Sequence, residues 1–332
     1  MKKIVFLMVA VLLIVTLAGC GGGSTPTDKD GEGNGNGMVP VDGGDGGNGT
    51  DTAQWAAWVF DETIEPSSGG SGKIDTFTIE SAYSEDGKLR KFRIEGTYLG
   101  KEMTQIKTQK MVIVTSPTYS SSTENVSTTL ECYKVKHRVT VVTDETGEIH
   151  PVWADVILWI PTGELETTAQ FFWIYPKATY VDSDGQQGEW SYYLTDAMQA
   201  EMNNPPAGTT VLYSPVVEGD FHGYDDWAFY GLYGWGWYWF KGFAEGGQQQ
   251  LQVGSWSYGG CNYSCTKGNK TIGAYTFSAW TVDTSCAYEG SSGSYKGTFS
   301  SGLPVPIYLK VASSGEGSSG YFEYTLTDLK LK

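Results

Sequence analysis

The sequence predicts a mainly β protein, with antiparallel sheets arranged as a β-sandwich or an open, curved half-barrel and one or two short helices. Three observations predict this class. Apolar and polar residues alternate through one segment after another. Turn signals such as Asp86-Gly87 separate those segments. No amphipathic helices lie between them, which argues against a doubly wound or two-lobed α/β architecture. Composition agrees: aromatics reach 14% beside only 18% charged residues, with 12 Trp and 21 Tyr, and Tyr, Trp, Thr and Val suit pleated, half-buried surfaces.

In chain order, the folded part opens near Trp55, where Trp55-Ala56-Ala57-Trp58-Val59-Phe60 forms a short helix or a first strand. Phe77, Ile79 and Tyr83 then share one face of a strand whose other face carries Thr76, Thr78 and Glu80. Beyond Asp86-Gly87, Phe92, Ile94 and Tyr98 alternate with Lys91, Arg93 and Glu95, completing a hairpin. The clearest alternation runs from Cys132 to Val142: Tyr133, Val135, His137, Val139 and Val141 take one side, and Lys134, Lys136, Arg138 and Thr140 the other. After a turn at Asp144-Glu145-Thr146-Gly147, Val152 to Ile160 is apolar on both sides, as in a strand inside a core. Phe171 to Tyr180 continues the pattern, and Asp182-Ser183-Asp184-Gly185 marks another hairpin turn. One stretch reads as helix, Asp196 to Asn203, with Thr195 as N-cap and Pro205-Pro206 as its stop. Further strands are expected at Thr209–Val217, Leu251–Tyr258, Ile272–Val282 and Ser294–Ser300. Leu303 to Val311 alternates as well, but Pro304 and Pro306 confine it to a sheet edge or to pairing on one side only. A last strand spans Tyr321 to Leu331, and no internal period marks a repeat architecture.

The first residues concern address rather than fold. Lys2 and Lys3 precede an apolar run from Ile4 to Leu17, too short to span a bilayer comfortably, which is the layout of a secretory signal. The next feature, Leu17-Ala18-Gly19-Cys20, resembles the lipobox of prokaryotic lipoproteins at every position. That resemblance implies cleavage before Cys20, lipid on Cys20, and a chain held by its anchor at the extracytoplasmic face of a membrane, on the cell surface or in the periplasm. Residues 1–19 are then signal peptide. Residues 20–52 are the lipidated cysteine and a Gly-rich tether without aromatics, too polar to offset its ordering entropy. At about 32 residues, such a coil spans about 30 Å. Residues 53–332 form the β-rich ectodomain, with an internal boundary expected near 204–208.

The formal charge is −16, and loss of Lys2 and Lys3 with the leader makes the mature chain more acidic still. Such a surface repels polyanions and excludes nucleic acid as a partner. Of five cysteines, four remain once Cys20 carries lipid, and an even number in an exported chain reads as two disulfides. Cys261 and Cys265 are near enough in sequence to close a small loop, which leaves Cys132 for Cys286. A four-thiolate zinc site competes poorly, because Cys132 and Cys286 are isolated where such sites use two tight pairs.

The most unusual segment is Gly223 to Phe243. As a strand it sets Tyr233, Trp235, Trp237 and Trp239 on one face; as a helix, the form its length favours, its glycines permit close packing. Trp235, Trp237, Tyr238 and Trp239 are the candidate ligand contacts, since rows of Trp and Tyr stack on sugar rings or line apolar pockets. Their competing role is to fill a core. His137, on an apolar strand face, reads as a core histidine, and His150 as solvated. His222 with Asp225 and Asp226 is the weak metal or general-base candidate, though either aspartate also suits a helix N-cap. No serine-hydrolase elbow, His-Glu-x-x-His motif or phosphate-cradling loop occurs. Lys91, Arg93, Lys134, Lys136 and Arg138 read as a solvated strip balanced by acids. Asn48, Asn125, Asn262 and Asn269 begin Asn-x-Ser/Thr sequons, which imply surface loops in a host that glycosylates.

The expectation is therefore a lipid-anchored extracytoplasmic protein, non-catalytic and without cofactor or metal, whose ectodomain binds an apolar, carbohydrate or protein ligand. The alternatives are a polysaccharide-acting hydrolase using Asp225, Asp226 or Glu189, or a structural lipoprotein of the cell envelope.

Overall fold

The computed structural model describes residues 59–116, 118–147, 151–163, 175–219, 253–258, 260–288, 290–315 and 318–332. Among them the chain is mainly β and antiparallel, as its alternation predicts. The strands are β1 (Ile74–Glu85), β2 (Lys88–Val114), β3 (Ser120–Asp144), β4 (Trp153–Pro161), β5 (Lys177–Asp182), β6 (Gln187–Ser191), β7 (Thr209–Gly219), β8 (Gly254–Tyr258), β9 (Cys261–Ile272), β10 (Tyr275–Tyr288), β11 (Ser291–Phe299), β12 (Tyr308–Gly315) and β13 (Ser318–Leu331). One helix, α1 (Asp196–Asn203), lies between β6 and β7.

All thirteen strands belong to one sheet, in the order β3-β4-β5-β6-β7-β2-β1-β13-β12-β11-β10-β9-β8, and β3 pairs with β2 as well. The extra pairing closes β2 through β7 into a circuit of hydrogen-bonded neighbours, while β1 and β8–β13 extend away from it. The long strand β2 joins the two parts. One of its edges carries β3 along most of its length; the other holds β1 at residues 88–97 and β7 at residues 108–114.

The core follows from side-chain period two. Tyr133, Val135, His137 and Val139 of β3 are buried with Ala154, Val156, Leu158 and Ile160 of β4, Phe77 and Ile79 of β1, and Phe92 and Ile94 of β2. Val59 and Phe60 enter the same core, Phe60 stacking on Tyr98 at 5.1 Å. Burying one such side chain fully contributes about 1.5–3 kcal/mol. One row is unusually close. Phe77 of β1, Gly96 of β2 and His137 of β3 lie side by side across three strands. A Cβ on Gly96 would come within 2.1 Å of the Phe77 ring, so the ring lies over the glycine and reaches His137 at 5.9 Å.

Turn chemistry behaves as the sequence indicates. Asp86 (φ 51°) and Gly87 (φ 82°) form the two-residue link between β1 and β2, both with positive φ as a type I′ turn requires. Asp182 Oδ1 accepts the amides of Asp184 at 2.9 Å and Gln186 at 3.0 Å, closing the β5–β6 hairpin. Thr195 caps α1 by accepting the Met198 amide at 3.2 Å, and Pro205-Pro206 follow beyond the C-cap. The residues near 204–208 link α1 to β7, whose neighbours β6 and β2 belong to the same sheet.

Several expectations need correction. Ile272 to Val282 is not one strand: a turn at Gly273-Ala274 (Gly273 φ 56°) ends β9 and starts β10. Leu303 to Ile307 lies buried without joining a strand, because Pro304 and Pro306 offer no amide hydrogen, and β12 begins only at Tyr308. Of the segment Phe171 to Tyr180, residues 171–174 lie outside the described residues and β5 begins at Lys177. The cysteine pairing also differs. Cys261 bonds to Cys286, its direct cross-strand neighbour, with Cα atoms 4.0 Å apart; Cys132 and Cys265 are buried thiols. The proposed Cys261–Cys265 loop fails because both sit on the single extended strand β9. Four residues at strand rise separate their backbones by about 13 Å, far beyond disulfide reach. Cys132 belongs to β3, at the other end of the sheet from β9 and β10.

Candidate functional site

Much of what the sequence singles out lies outside the described residues: Cys20, His150, His222, Asp225, Asp226, Trp235, Trp237, Tyr238, Trp239 and Asn48. Glu189, His137, four cysteines, the basic strip and three sequons are placed. His137 sits in the core as expected, 1% exposed, and burial pushes its imidazole down to about 3. Asn125, Asn262 and Asn269 are all exposed, but on strands rather than loops.

Among the described residues, a dense polar cluster is built by the sheet face opposite the core. Because Tyr133, Val135, His137 and Val139 turn inward, Lys134, Lys136 and Arg138 must share the other face. Register then sets their neighbours: Lys134 is opposite Trp159 and Arg138 opposite Asp155 on β4, and Trp159 is opposite Lys177 on β5. On the β2 side, Cys132 is opposite Glu102.

Glu102 gathers three donors. The Trp159 indole Nε1–H donates to its Oε1 at 2.6 Å, Lys134 Nζ reaches Oε2 at 3.2 Å, and the Thr104 hydroxyl donates at 3.4 Å. The Trp159 hydrogen bond above all, with Lys134, holds the Glu102 carboxyl below the usual range, against a smaller opposing effect of burial. Trp159 is 6% exposed, with the ammonium groups of Lys134 and Lys177 each 5.3 Å from its ring centre. Lys177 in turn pairs with Glu189 at 3.1 Å. Nearby, Arg138 donates twice to Asp155, at 2.6 and 2.7 Å, and lies 4.3 Å over the Trp153 ring, while Lys136 reaches Asp155 at 3.0 Å. The Arg138 hydrogen bonds hold the Asp155 carboxyl low. The Cys132 thiol goes the opposite way, pushed up to about 12 by burial and by the carboxylates of Glu102 and Glu131.

Chemically this is a neutralised lattice of ions and aromatic rings. Glu102 and Asp155 are stable anions, unsuited to donate a proton at neutral pH, and the Cys132 thiol is a weak nucleophile because it stays protonated. The acid-balanced character expected of the strip holds for Lys134, Lys136, Arg138 and Arg93, the last 3.6 Å from Glu95. Sequence reasoning missed Glu102, Trp153, Asp155, Trp159 and Lys177. The available signal was that Trp153, Asp155 and Trp159 share one parity of β4, opposite to that of Ala154, Val156 and Leu158. Among the described residues no group of three or more His, Cys, Asp or Glu is placed to hold a metal, and no helix is long and apolar enough to cross a membrane.

No protein family, curated protein or solved structure matches this chain.

Proposed function

We propose that this chain is a lipid-anchored protein of the extracytoplasmic face whose β-rich ectodomain binds a ligand without transforming it. Leu17-Ala18-Gly19-Cys20, at the end of a basic and then apolar leader, carries the reading. The Gly-rich stretch that follows suits a tether holding a domain away from a membrane. The electrostatics of the β2–β6 face are in keeping with a non-catalytic role: Glu102 and Asp155 are held as anions and are not poised to donate a proton, and Glu189, the placed hydrolase candidate, pairs with Lys177. Trp235, Trp237, Tyr238 and Trp239 remain the proposed contacts in the aromatic segment.

One set of variants tests both halves. Mature protein is expected to begin at a Cys20 bearing lipid mass, and Cys20→Ser to leave the membrane fraction. Trp235→Ala, Trp237→Ala and Trp239→Ala are expected to keep the parent melting temperature, as exposed contacts do. An unmodified N-terminus elsewhere refutes the anchor. A large drop in melting temperature for all three Trp variants makes them core residues and refutes their role in binding.

A further inference from the structure

We infer that the far half of the β9–β10 hairpin is a second binding site, one that takes a sugar acid, with Lys267 as its anion contact and Trp280 as its apolar wall. In-register pairing places Lys267 opposite Trp280, Asn269 opposite Ser278 and Thr271 opposite Thr276. Alternation then sets all six side chains on one face of the two strands. The other face turns Ile272, Phe277 and Ala279 into the core, so the six point away from it. Lys267, Asn269, Thr271 and Ser278 are exposed. Trp280 is half-buried against Cys265, Val282 and Phe299, and the Lys267 ammonium lies 5.0 Å from its ring centre. The wall is thus fixed by packing, so little ordering entropy remains to be lost there when a ligand arrives.

Charge selects the ligand chemistry. Residues 254–282 contain Lys267 and Lys270 but no Asp or Glu, in a chain whose formal charge is −16. Among the described residues no ion pair includes either lysine, whereas Lys134, Lys136, Lys177, Lys296 and Lys310 all have carboxylate partners. Lys267 is therefore an available cation with an aromatic ring at its side. One row further along the ladder, at about 7 Å, stand an amide and a hydroxyl, those of Asn269 and Ser278. A pyranose bearing one carboxylate matches that order of groups: the acid on Lys267, the C–H surface of the ring against the indole, and ring hydroxyls toward Asn269 and Ser278. An extended polyanion suits the site less well. Asp328 lies against the turn that closes the hairpin, its Oδ1 2.5 Å from where a Cβ on Gly273 would stand, and the chain as a whole repels repeated negative charge.

The inference rests on the binding reading above and names a ligand class for it. The full lipidated chain is made in a host that does not glycosylate, because Asn269 begins a sequon. In low salt and a detergent without a sugar headgroup, it is titrated by calorimetry with glucuronate, galacturonate, glucose, galactose, acetate and inorganic phosphate. At least one uronate is expected to bind, with its neutral sugar, acetate and phosphate each at least about tenfold weaker. Lys267→Gln is expected to weaken that uronate by at least about tenfold at a nearly unchanged melting temperature. Lys270→Gln, which alters the opposite face of the same strand, is expected to bind as the parent does. Binding of neither uronate overturns the assignment, as does acetate or phosphate binding as tightly as a uronate, which marks an ion site only. A Lys267→Gln protein that binds like the parent also overturns it, and so does an equal loss in Lys270→Gln, which marks a diffuse field and not a site. Failure here leaves the lipid at Cys20 and the melting behaviour of the Trp235, Trp237 and Trp239 variants untouched, so the two readings fall separately.

Discussion

Gly96→Ala tests the closest packing in the core. The new methyl would lie 2.1 Å from Phe77 Cζ, 2.4 Å from Cε2 and 2.5 Å from Cε1, so the ring must retreat by more than an ordinary rotamer adjustment. It has little room, being 4% exposed with His137 alongside. Overpacking of this kind costs up to about 3 kcal/mol, offset by roughly 0.5–1 kcal/mol that Ala gains over Gly within a strand. The net loss is about 2 kcal/mol, or a fall of about 4–8 °C in melting temperature for a domain this large. Thermal and urea melts read it directly. The same substitution in a Phe77→Ala background, itself destabilised by about 3–5 kcal/mol, is expected to be neutral or mildly stabilising because the obstructing ring is gone. The double-mutant cycle therefore shows a coupling of about 2 kcal/mol. A Gly96→Ala protein melting within about 1 °C of its parent, or strictly additive effects in the cycle, refutes the idea that the ring occupies the space above the glycine.

His137 makes stability depend on pH. Burial lowers its pKa from 6.5 to about 3, so the unfolded chain takes up the proton first. Its contribution is complete above pH 6.5 and is lost as pH falls toward 3, at no more than about 1.4 kcal/mol per pH unit. Urea midpoints at pH 7, 5 and 4 should show a decline that His137→Leu makes shallower; an unchanged slope removes His137 as its source. The cysteines should divide by reactivity. Iodoacetamide at pH 8 is expected to leave Cys132 and Cys265 unlabelled in the native protein and to label both in denaturant, since burial raises both thiols. Non-reducing peptide maps should join Cys261 to Cys286. Removing that bridge, with its sequence separation of 25, costs about 3.5 kcal/mol in the loop-entropy model. Native labelling of Cys132, or a Cys132–Cys286 peptide, contradicts the structure.

Where one strand face is apolar, the sequence was legible almost residue by residue. The alternation of Cys132 to Val142 assigned the inward face of β3 correctly, and Thr195, Asp86-Gly87 and Asp182 announced the helix cap and two turns through local chemistry alone. The far half of the β2–β3 hairpin gave no such signal. Residues 120–125 of β3 are all exposed, and so are residues 266–271 of β9, so neither segment carries an apolar period to detect. The Glu102–Trp159–Lys177 cluster was hidden for a different reason. Its members come from β2, β4 and β5, and only cross-strand register, which turn lengths and bulges set, brings them together. The disulfide failed on the same point: sequence proximity favoured Cys265, whereas an extended strand favours the residue directly across the ladder.

The pairing of β13 with β1 has a consequence for how the chain matures. The Thr327 hydroxyl donates to the Thr78 carbonyl across 249 positions of sequence, and Lys332 exchanges backbone hydrogen bonds with Lys73 in both directions. A chain synthesised N-terminus first can form the β1–β2 hairpin early, yet the other edge of β1 must wait for β13, which emerges far later. At ordinary synthesis rates of about 5–20 residues per second, that wait is on the order of ten seconds or more. During this interval β1 presents unpaired amides and carbonyls to any strand nearby, including those of sister chains. Assembly is therefore governed by loop closure over nearly the whole domain, a slow step by contact order. Removing β13 would leave β1–β7 and β8–β12 able to build local hairpins but without the strand that joins them.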